Sequence, residues 1–176
     1  MKDTIFALST VPGLSAISVF RISGPNAFLV LKKITKAKVP ENRFASLRRI
    51  FWEEEIIDKC IVIAFNGNDS YSGEKTVEIH CHGSIAIINK IASILTQCGS
   101  ELNIRPAEEG EFTRQAFYNG KMDLIQVEGL SDLLRAETEA QRKISFDSLD
   151  GVISKKVEVW KSKIMSILAF LEADID

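Results

Sequence analysis

The chain has 176 residues, which is enough for one domain and part of another, because autonomous domains usually span about 100 to 150 residues. Its 45% hydrophobic and 26% charged residues are typical of a folded globular protein, and 22 basic against 24 acidic residues give a net charge of −2, which excludes a general electrostatic attraction for nucleic acid. The three cysteines are widely spaced, which predicts free thiols in a reducing compartment. The sequence shows no N-terminal signal, and its apolar runs are too short to span a bilayer, so we predict a cytoplasmic protein with no membrane association.

All four prolines of the chain precede residue 107, and this part is predicted to mix strands and helices. In chain order we expect strands at 4–8 and 17–22, a helix opened by Ser23-Gly24-Pro25, strands at 56–65 and 76–80, a helix after Gly83-Ser84 that ends near Gly99, a strand at 102–105 and a short helix at 109–118. The pattern predicts an α/β domain over residues 1–118, an α+β mixed sheet with covering helices.

The remainder of the chain, residues 119–176, is predicted to be helical. Asp123 and Gln126 form the reciprocal N-terminal cap of a helix that should extend to about Leu149. A last helix after Gly151 carries an apolar stripe at spacings of three and four. Two antiparallel helices cannot cover a wide apolar stripe on both of them, so we expect an all-α partial helical bundle that is incomplete in this chain.

The densest group of chemically versatile residues lies in the segment 76–83. In a strand, Glu78, His80 and His82 would share one face. Two imidazoles and a carboxylate could form a three-ligand metal site. Both histidines of the chain lie here, however, and no other Cys or His cluster completes the ligand set, so we predict a polar strand face and no bound metal.

Two basic residues are further candidates. Alternation places Arg21 on the same strand face as Ile17 and Val19, and an arginine beside apolar residues usually has an anionic partner, although a solvated surface arginine is the alternative. Lys121 follows a turn at Asn119-Gly120 and has no structural role that the sequence reveals. No G-x-x-x-x-G-K-[ST] motif is present, so we predict that the chain does not hydrolyse nucleotide and has no catalytic residue.

Read in order, these segments resemble the N-terminal region of the tRNA modification GTPases of the MnmE (TrmE) family. The resemblance rests on collinear blocks at the family's spacing, among them Val19-Phe20-Arg21-Ile22-Ser23-Gly24-Pro25, Val77-Glu78-Ile79-His80-Cys81-His82-Gly83 and Asn119-Gly120-Lys121-Met122-Asp123-Leu124, together with 3–7, 71–74, 110–114, 116–117 and 126–130. The blocks span nearly the whole chain, and their shared order and spacing favour a family relationship over chance agreement.

The resemblance implies a folate-binding, dimer-forming domain over residues 1–118 and the first helices of a helical domain over 119–176, cut before the GTPase (G) domain. The segment 172–176 is similar to the family's stretch just before that domain, so the parent protein would be a GTPase. It also implies a cofactor, a formyl- or methylene-tetrahydrofolate, and partners: a second copy of the chain in a homodimer, an MnmG-like flavoprotein, and tRNA whose wobble uridine is modified. By the same resemblance, the parent protein would bind GTP, magnesium and potassium through the G domain, which this chain lacks.

By motif, the folate contacts of the family fall on Arg21, Glu78 and Lys121. A carboxylate can pair twice with the amide N–H and amino group of a pterin, which suits Glu78. The folate tail ends in carboxylates, which Arg21 and Lys121 could neutralise. The segments 12–16 and 69–75 lack glycines that are usual in the family, so we expect stiffer loops and reduced folate affinity. The alternatives are a folate-dependent aminomethyltransferase-like protein and a dimer scaffold without ligand.

Overall fold

The structure is a computed structural model that describes residues 3–175, and the chain separates into two compact units with the boundary between Lys121 and Met122. The first unit is built on a mixed sheet with helices, and the second is entirely helical. The fold class predicted from the sequence is therefore confirmed.

The sheet of the first unit has six strands. They are β1 (Thr4–Leu8), β2 (Ile17–Ser23), β3 (Ser46–Trp52), β4 (Glu55–Phe65), β5 (Thr76–His82) and β6 (Ile104–Pro106). Across the sheet the order is β3-β4-β5-β2-β1-β6. The pair β1 and β6 is parallel and the other four pairs are antiparallel, so the first and last strands of the unit lie side by side at one edge.

The described part of the first unit has four α-helices: α1 (Ala27–Thr35), α2 (Ile85–Gln97), α3 (Gly99–Leu102) and α4 (Glu111–Tyr118). Both α1 and α2 contact the sheet, and the core lies beneath them. Alternate residues of each strand enter this core: Phe20 and Ile22 come from β2, and Val77 and Ile79 come from β5, all fully buried. The residues between them project from the opposite face of the sheet.

A buried polar cluster fastens α4 and the β4–β5 loop to the end of β2. The Ser23 Oγ lies 2.6 Å from the Ser72 Oγ of this loop and 2.7 Å from the Gln115 Oε1 of α4. The Thr76 hydroxyl lies 3.2 Å from that of Ser72. Because buried hydroxyls need partners, these bonds fix α4 and the loop beside the polar face of the sheet.

The second unit contains α5 (Leu124–Arg135), α6 (Glu139–Leu149) and α7 (Val152–Ile175). The prediction of a single helix from Asp123 to about Leu149 is wrong, because α5 ends at Arg135 and Thr138 is the N-cap of a new helix, α6. The Thr138 hydroxyl accepts the Gln141 N–H at 3.2 Å, and the Gln141 side chain accepts the Thr138 N–H at 2.9 Å. Over the described residues, no helix combines the length and apolar character needed to cross a membrane.

Candidate functional site

An arginine and a glutamate pair across the centre of the polar sheet face. Arg21 of β2 and Glu78 of β5 are directly opposite in the register of the two strands. The Arg21 Nε and a terminal guanidinium nitrogen both donate to the Glu78 Oε1, at 3.1 and 2.8 Å. The expected anionic partner of Arg21 is therefore Glu78. The two side chains are only 24% and 18% exposed, so the pair is largely withdrawn from solvent.

Two aromatic rings flank the guanidinium of Arg21. Its central carbon lies 5.2 Å from the centre of the Tyr71 ring and 5.6 Å from that of Phe112, distances at which a cation is attracted by the ring electrons. Tyr71 belongs to the β4–β5 loop and Phe112 to α4, and the Tyr71 hydroxyl lies 2.8 Å from the Thr113 Oγ1. The loop and α4 thus place two aromatic rings beside the guanidinium of Arg21.

The two histidines have separate environments. The His80 Nε2 lies 3.4 Å from the Glu78 Oε2, so His80 borders the ion pair. His82 is held instead by Asp58 of β4, whose carboxylate lies 2.7 Å from the His82 Nδ1 and accepts the His82 backbone N–H at 2.9 Å. Sequence reasoning did not single out Asp58. Within residues 3–175, no three His, Cys, Asp or Glu side chains are grouped so that they could hold a metal ion.

Lys121 lies against the same loop that carries Tyr71. Its ammonium donates to the Asn68 carbonyl at 2.8 Å, and Asn119 of the same turn donates to the Ser72 carbonyl at 2.8 Å. Gly73 permits this contact: its φ is +77°, and a Cβ there would lie 2.7 Å from the Asn119 Cβ. The structure thus brings Arg21 and Glu78 into direct contact, whereas the contact described for Lys121 is with the loop.

A second charged cluster joins β6 to α4. The Arg105 guanidinium donates to both Glu111 oxygens, at 2.9 and 2.7 Å, and to Asp3 at 2.9 Å. The hydrogen bonds from Arg105 lower the pKa of Glu111 to about 2, against the opposing effect of burial. A cavity of about 220 Å³ lies beside these groups. Each of these three charged groups has an opposite charge beside it, so the cluster anchors α4.

Comparison with known proteins finds family models that together match nearly the whole chain. The family model described as the GTP-binding protein TrmE N-terminus matches residues 4–121, and the MnmE helical domain model matches residues 124–176. The chain belongs to the MnmE (TrmE) family. The point of change between the two matched regions falls where the structure divides into its two units.

Named relatives of this MnmE-family chain come from bacteria and from an animal. The tRNA modification GTPase MnmE of Roseobacter denitrificans is 44% identical over 176 residues, which cover 99% of this chain and 40% of that protein. That of Agrobacterium fabrum is 44% identical over 175 residues, covering 99% and 39%. The mitochondrial 5-taurinomethyluridine-[tRNA] synthase subunit GTPB3 of Danio rerio is 43% identical over 176 residues, covering 99% and 34%. The chain spans about 40% of the length of the bacterial relatives.

The structure adds residues to the site that the sequence did not assign. Tyr71 and Phe112 lie within the segments 71–74 and 110–114 that resemble the MnmE family, but the sequence indicates no role for either residue. An aromatic residue next to an arginine in space has no sequence signature when the two lie on different elements. The sequence signal that could have indicated Tyr71 is its position in the loop just before β5, where a side chain can reach the polar end of that strand.

Proposed function

We propose that this chain is the folate-binding and dimer-forming part of a tRNA modification enzyme, and that it acts in the cytoplasm. The observation that carries the folate proposal is the Arg21–Glu78 pair, a mostly buried carboxylate and guanidinium on a polar sheet face beside two aromatic rings. A pterin is a flat ring that presents an amide N–H beside an amino group, so a fixed carboxylate and aromatic surfaces are the groups that suit it. Arg21, Glu78 and Lys121 form the proposed folate site, in which Glu78 would pair with the pterin edge.

Binding of a one-carbon tetrahydrofolate is tested by calorimetry with 5-formyltetrahydrofolate. The wild-type chain should bind it, and Glu78→Gln should weaken the binding by about 10- to 100-fold, the worth of one hydrogen bond to a charged group. Glu55→Gln, at an exposed position on β4, is the matched control and should bind as wild type does. Equal affinity of Glu78→Gln and wild type would remove Glu78 from the site, and no binding by wild type would favour the ligand-free scaffold.

The polar face also offers a surface for homodimerisation. Leu47 of β3, Ile61 of β4 and Val19 of β2 lie in one cross-strand row with His80, and Leu47 and Ile61 are 55% and 43% exposed. Exposed apolar side chains in a contiguous row are typical of protein interfaces. We propose that a second copy of the chain covers this row.

Light scattering at several protein concentrations tests the dimer. Wild type should have twice the mass of one chain, and Ile61→Asp should shift the mass toward the monomer because it buries a charge in the interface. Leu29→Asp, on the exposed side of α1, introduces the same charge away from the polar face and should remain dimeric. A monomeric wild type, or a dimer that Ile61→Asp leaves intact, contradicts the proposed interface.

The wider activity is likewise proposed, from the names of the relatives and from the family resemblance described above. In a full-length protein of this family the chain would work with a GTPase domain that binds GTP, magnesium and potassium, and with an MnmG-like flavoprotein, to modify the wobble uridine of certain tRNAs. Deleting the gene should remove the modified nucleoside from tRNA digests analysed by mass spectrometry. Restoring the gene should return it, whereas a Glu78→Gln gene should return less of it.

A further inference from the structure

We infer that Arg21 is a positioning residue for Glu78 and does not bind the acidic tail of the ligand. The inference rests on the proposed folate-binding function and separates the tasks of the two basic residues within that site. It differs from the hypothesis based on the sequence, in which Arg21 and Lys121 both neutralise the carboxylates of the folate tail.

The hydrogen bonds of Arg21 fill one oxygen of Glu78. A carboxylate oxygen has two lone pairs, and the Glu78 Oε1 receives two N–H groups from the same guanidinium. The Oε2 has its described contact with His80 at 3.4 Å, which is too long for a strong hydrogen bond. Oε2 is therefore the oxygen with capacity for a ligand, and Arg21 determines which oxygen that is.

The surroundings of Arg21 leave it little freedom to turn toward a distant group. Its backbone is paired with that of Glu78 in the sheet, and its guanidinium lies over the rings of Tyr71 and Phe112. Reaching a tail carboxylate would break the paired hydrogen bonds and leave a charge on Glu78, which is only 18% exposed, without its partner. Leaving a buried charge unpaired is strongly unfavourable.

The geometry of folate separates the two tasks in space. Its pterin edge and its tail carboxylates are at opposite ends of an extended molecule, whereas Arg21 and Glu78 are 2.8 Å apart. One contact pair cannot serve both ends. Lys121 is the better tail-binding cation, because its ammonium is on an exposed residue and its described partner is the uncharged Asn68 carbonyl. Its primary amine can exchange that carbonyl for a carboxylate with little loss.

The inference is tested with two probes, 5-formyltetrahydrofolate and 6-methyltetrahydropterin, which has the ring but no carboxylate. Affinities are measured by calorimetry for the first probe and by competition against it for the second. Arg21→Gln should weaken both probes by the same factor, about 10- to 100-fold. Lys121→Gln should weaken only the binding of the folate, by up to about 5-fold, and Lys90→Gln, at an exposed lysine of α2, should weaken the binding of neither probe.

Two further variants separate positioning from a general loss of structure. Arg21→Gln in a Glu78→Gln background should cause little additional loss, because the group that Arg21 positions has already changed. Arg21→Lys should restore part of the affinity, since it keeps a charge beside Glu78 but donates from one nitrogen. Thermal unfolding of each variant shows whether it is folded.

The outcomes distinguish this inference from the proposed function itself. If wild type binds neither probe, the folate proposal fails and this inference fails with it. If wild type binds both probes and Arg21→Gln weakens only the folate, Arg21 contacts the tail and the inference alone is overturned. Additive losses in the double variant would overturn it as well, because Arg21 would then act independently of Glu78.

Discussion

Replacing Glu111 by Gln should destabilise the first unit in a way that depends on pH. The Glu111 carboxylate is 8% exposed, receives two hydrogen bonds from Arg105, and accepts the Glu108 backbone N–H at 2.8 Å. Gln keeps the size of the side chain but removes the charge that these donors recognise. The variant therefore isolates the electrostatic contribution of the β6–α4 anchor from its packing.

The magnitude follows from the pKa of Glu111, which falls from 4.5 to about 2 in the folded protein. This difference corresponds to about 3 kcal/mol, and because Arg105 is 41% exposed we reduce the expected contribution to about 2 kcal/mol. A pKa lowered by folding gives stability that is complete above the unfolded value and is lost as the pH falls through the folded value. At about pH 3 roughly two-fifths of the contribution should remain, about 0.8 kcal/mol.

The assay is urea unfolding followed by tryptophan fluorescence in a Trp160→Phe background, so that Trp52 of β3 reports on the first unit alone. With a urea dependence of roughly 2 kcal/mol per molar, Glu111→Gln should lower the midpoint by about 1 M at about pH 7 and by less than half of that at about pH 3. Glu109→Gln, at the exposed position two residues earlier, should change neither midpoint. A gap between wild type and Glu111→Gln that stays constant over this pH range would refute the reasoning.

Three further predictions concern packing, capping and thiol reactivity. Gly129→Ala would place a Cβ 2.7 Å from the Leu149 backbone nitrogen and should lower the free energy of unfolding of the helical unit by about 2 kcal/mol. Urea unfolding followed by circular dichroism measures this loss, and Glu128→Ala, at the exposed neighbouring position, should change the free energy of unfolding little. Thr138→Ala removes the cap of α6 and should cost about 1 kcal/mol in the same assay, so an unchanged midpoint would argue against a stabilising cap. Burial raises the pKa of Cys60 to about 12 and that of Cys81 to about 11, so neither thiol should react with a disulfide reagent at about pH 8 until urea unfolds the protein; rapid reaction in the folded state would contradict this.

The strands that build the candidate site could be predicted from alternation. The polar and apolar residues of 17–22 and 76–80 indicated which side chains share a face, and β2 and β5 begin where expected. The pairing of Arg21 with Glu78 could not be predicted in this way. The two residues are 57 positions apart, and their contact depends on strand order and register, which are set by packing across the whole sheet.

Two elements show where local patterns were insufficient. The strand β3 was not predicted, because consecutive arginines at 48 and 49 interrupt its alternation, and its identity comes from pairing with β4. The break between α5 and α6 did have a local signal, since Thr138 and Gln141 have the spacing of a capping box. Without a Pro or Gly at 136–138, the helical pattern on both sides outweighed that signal.

The position of β1 determines when the first unit can complete its fold during synthesis. β1 is made first but lies between β2 and β6, and its parallel partner Ile104 is a hundred residues away from Thr4 along the chain. Parallel pairing over such a separation is slow, because a long loop must close before the contact is gained. A nascent chain would therefore hold a partial sheet in which one side of β1 is unpaired until β6 has emerged.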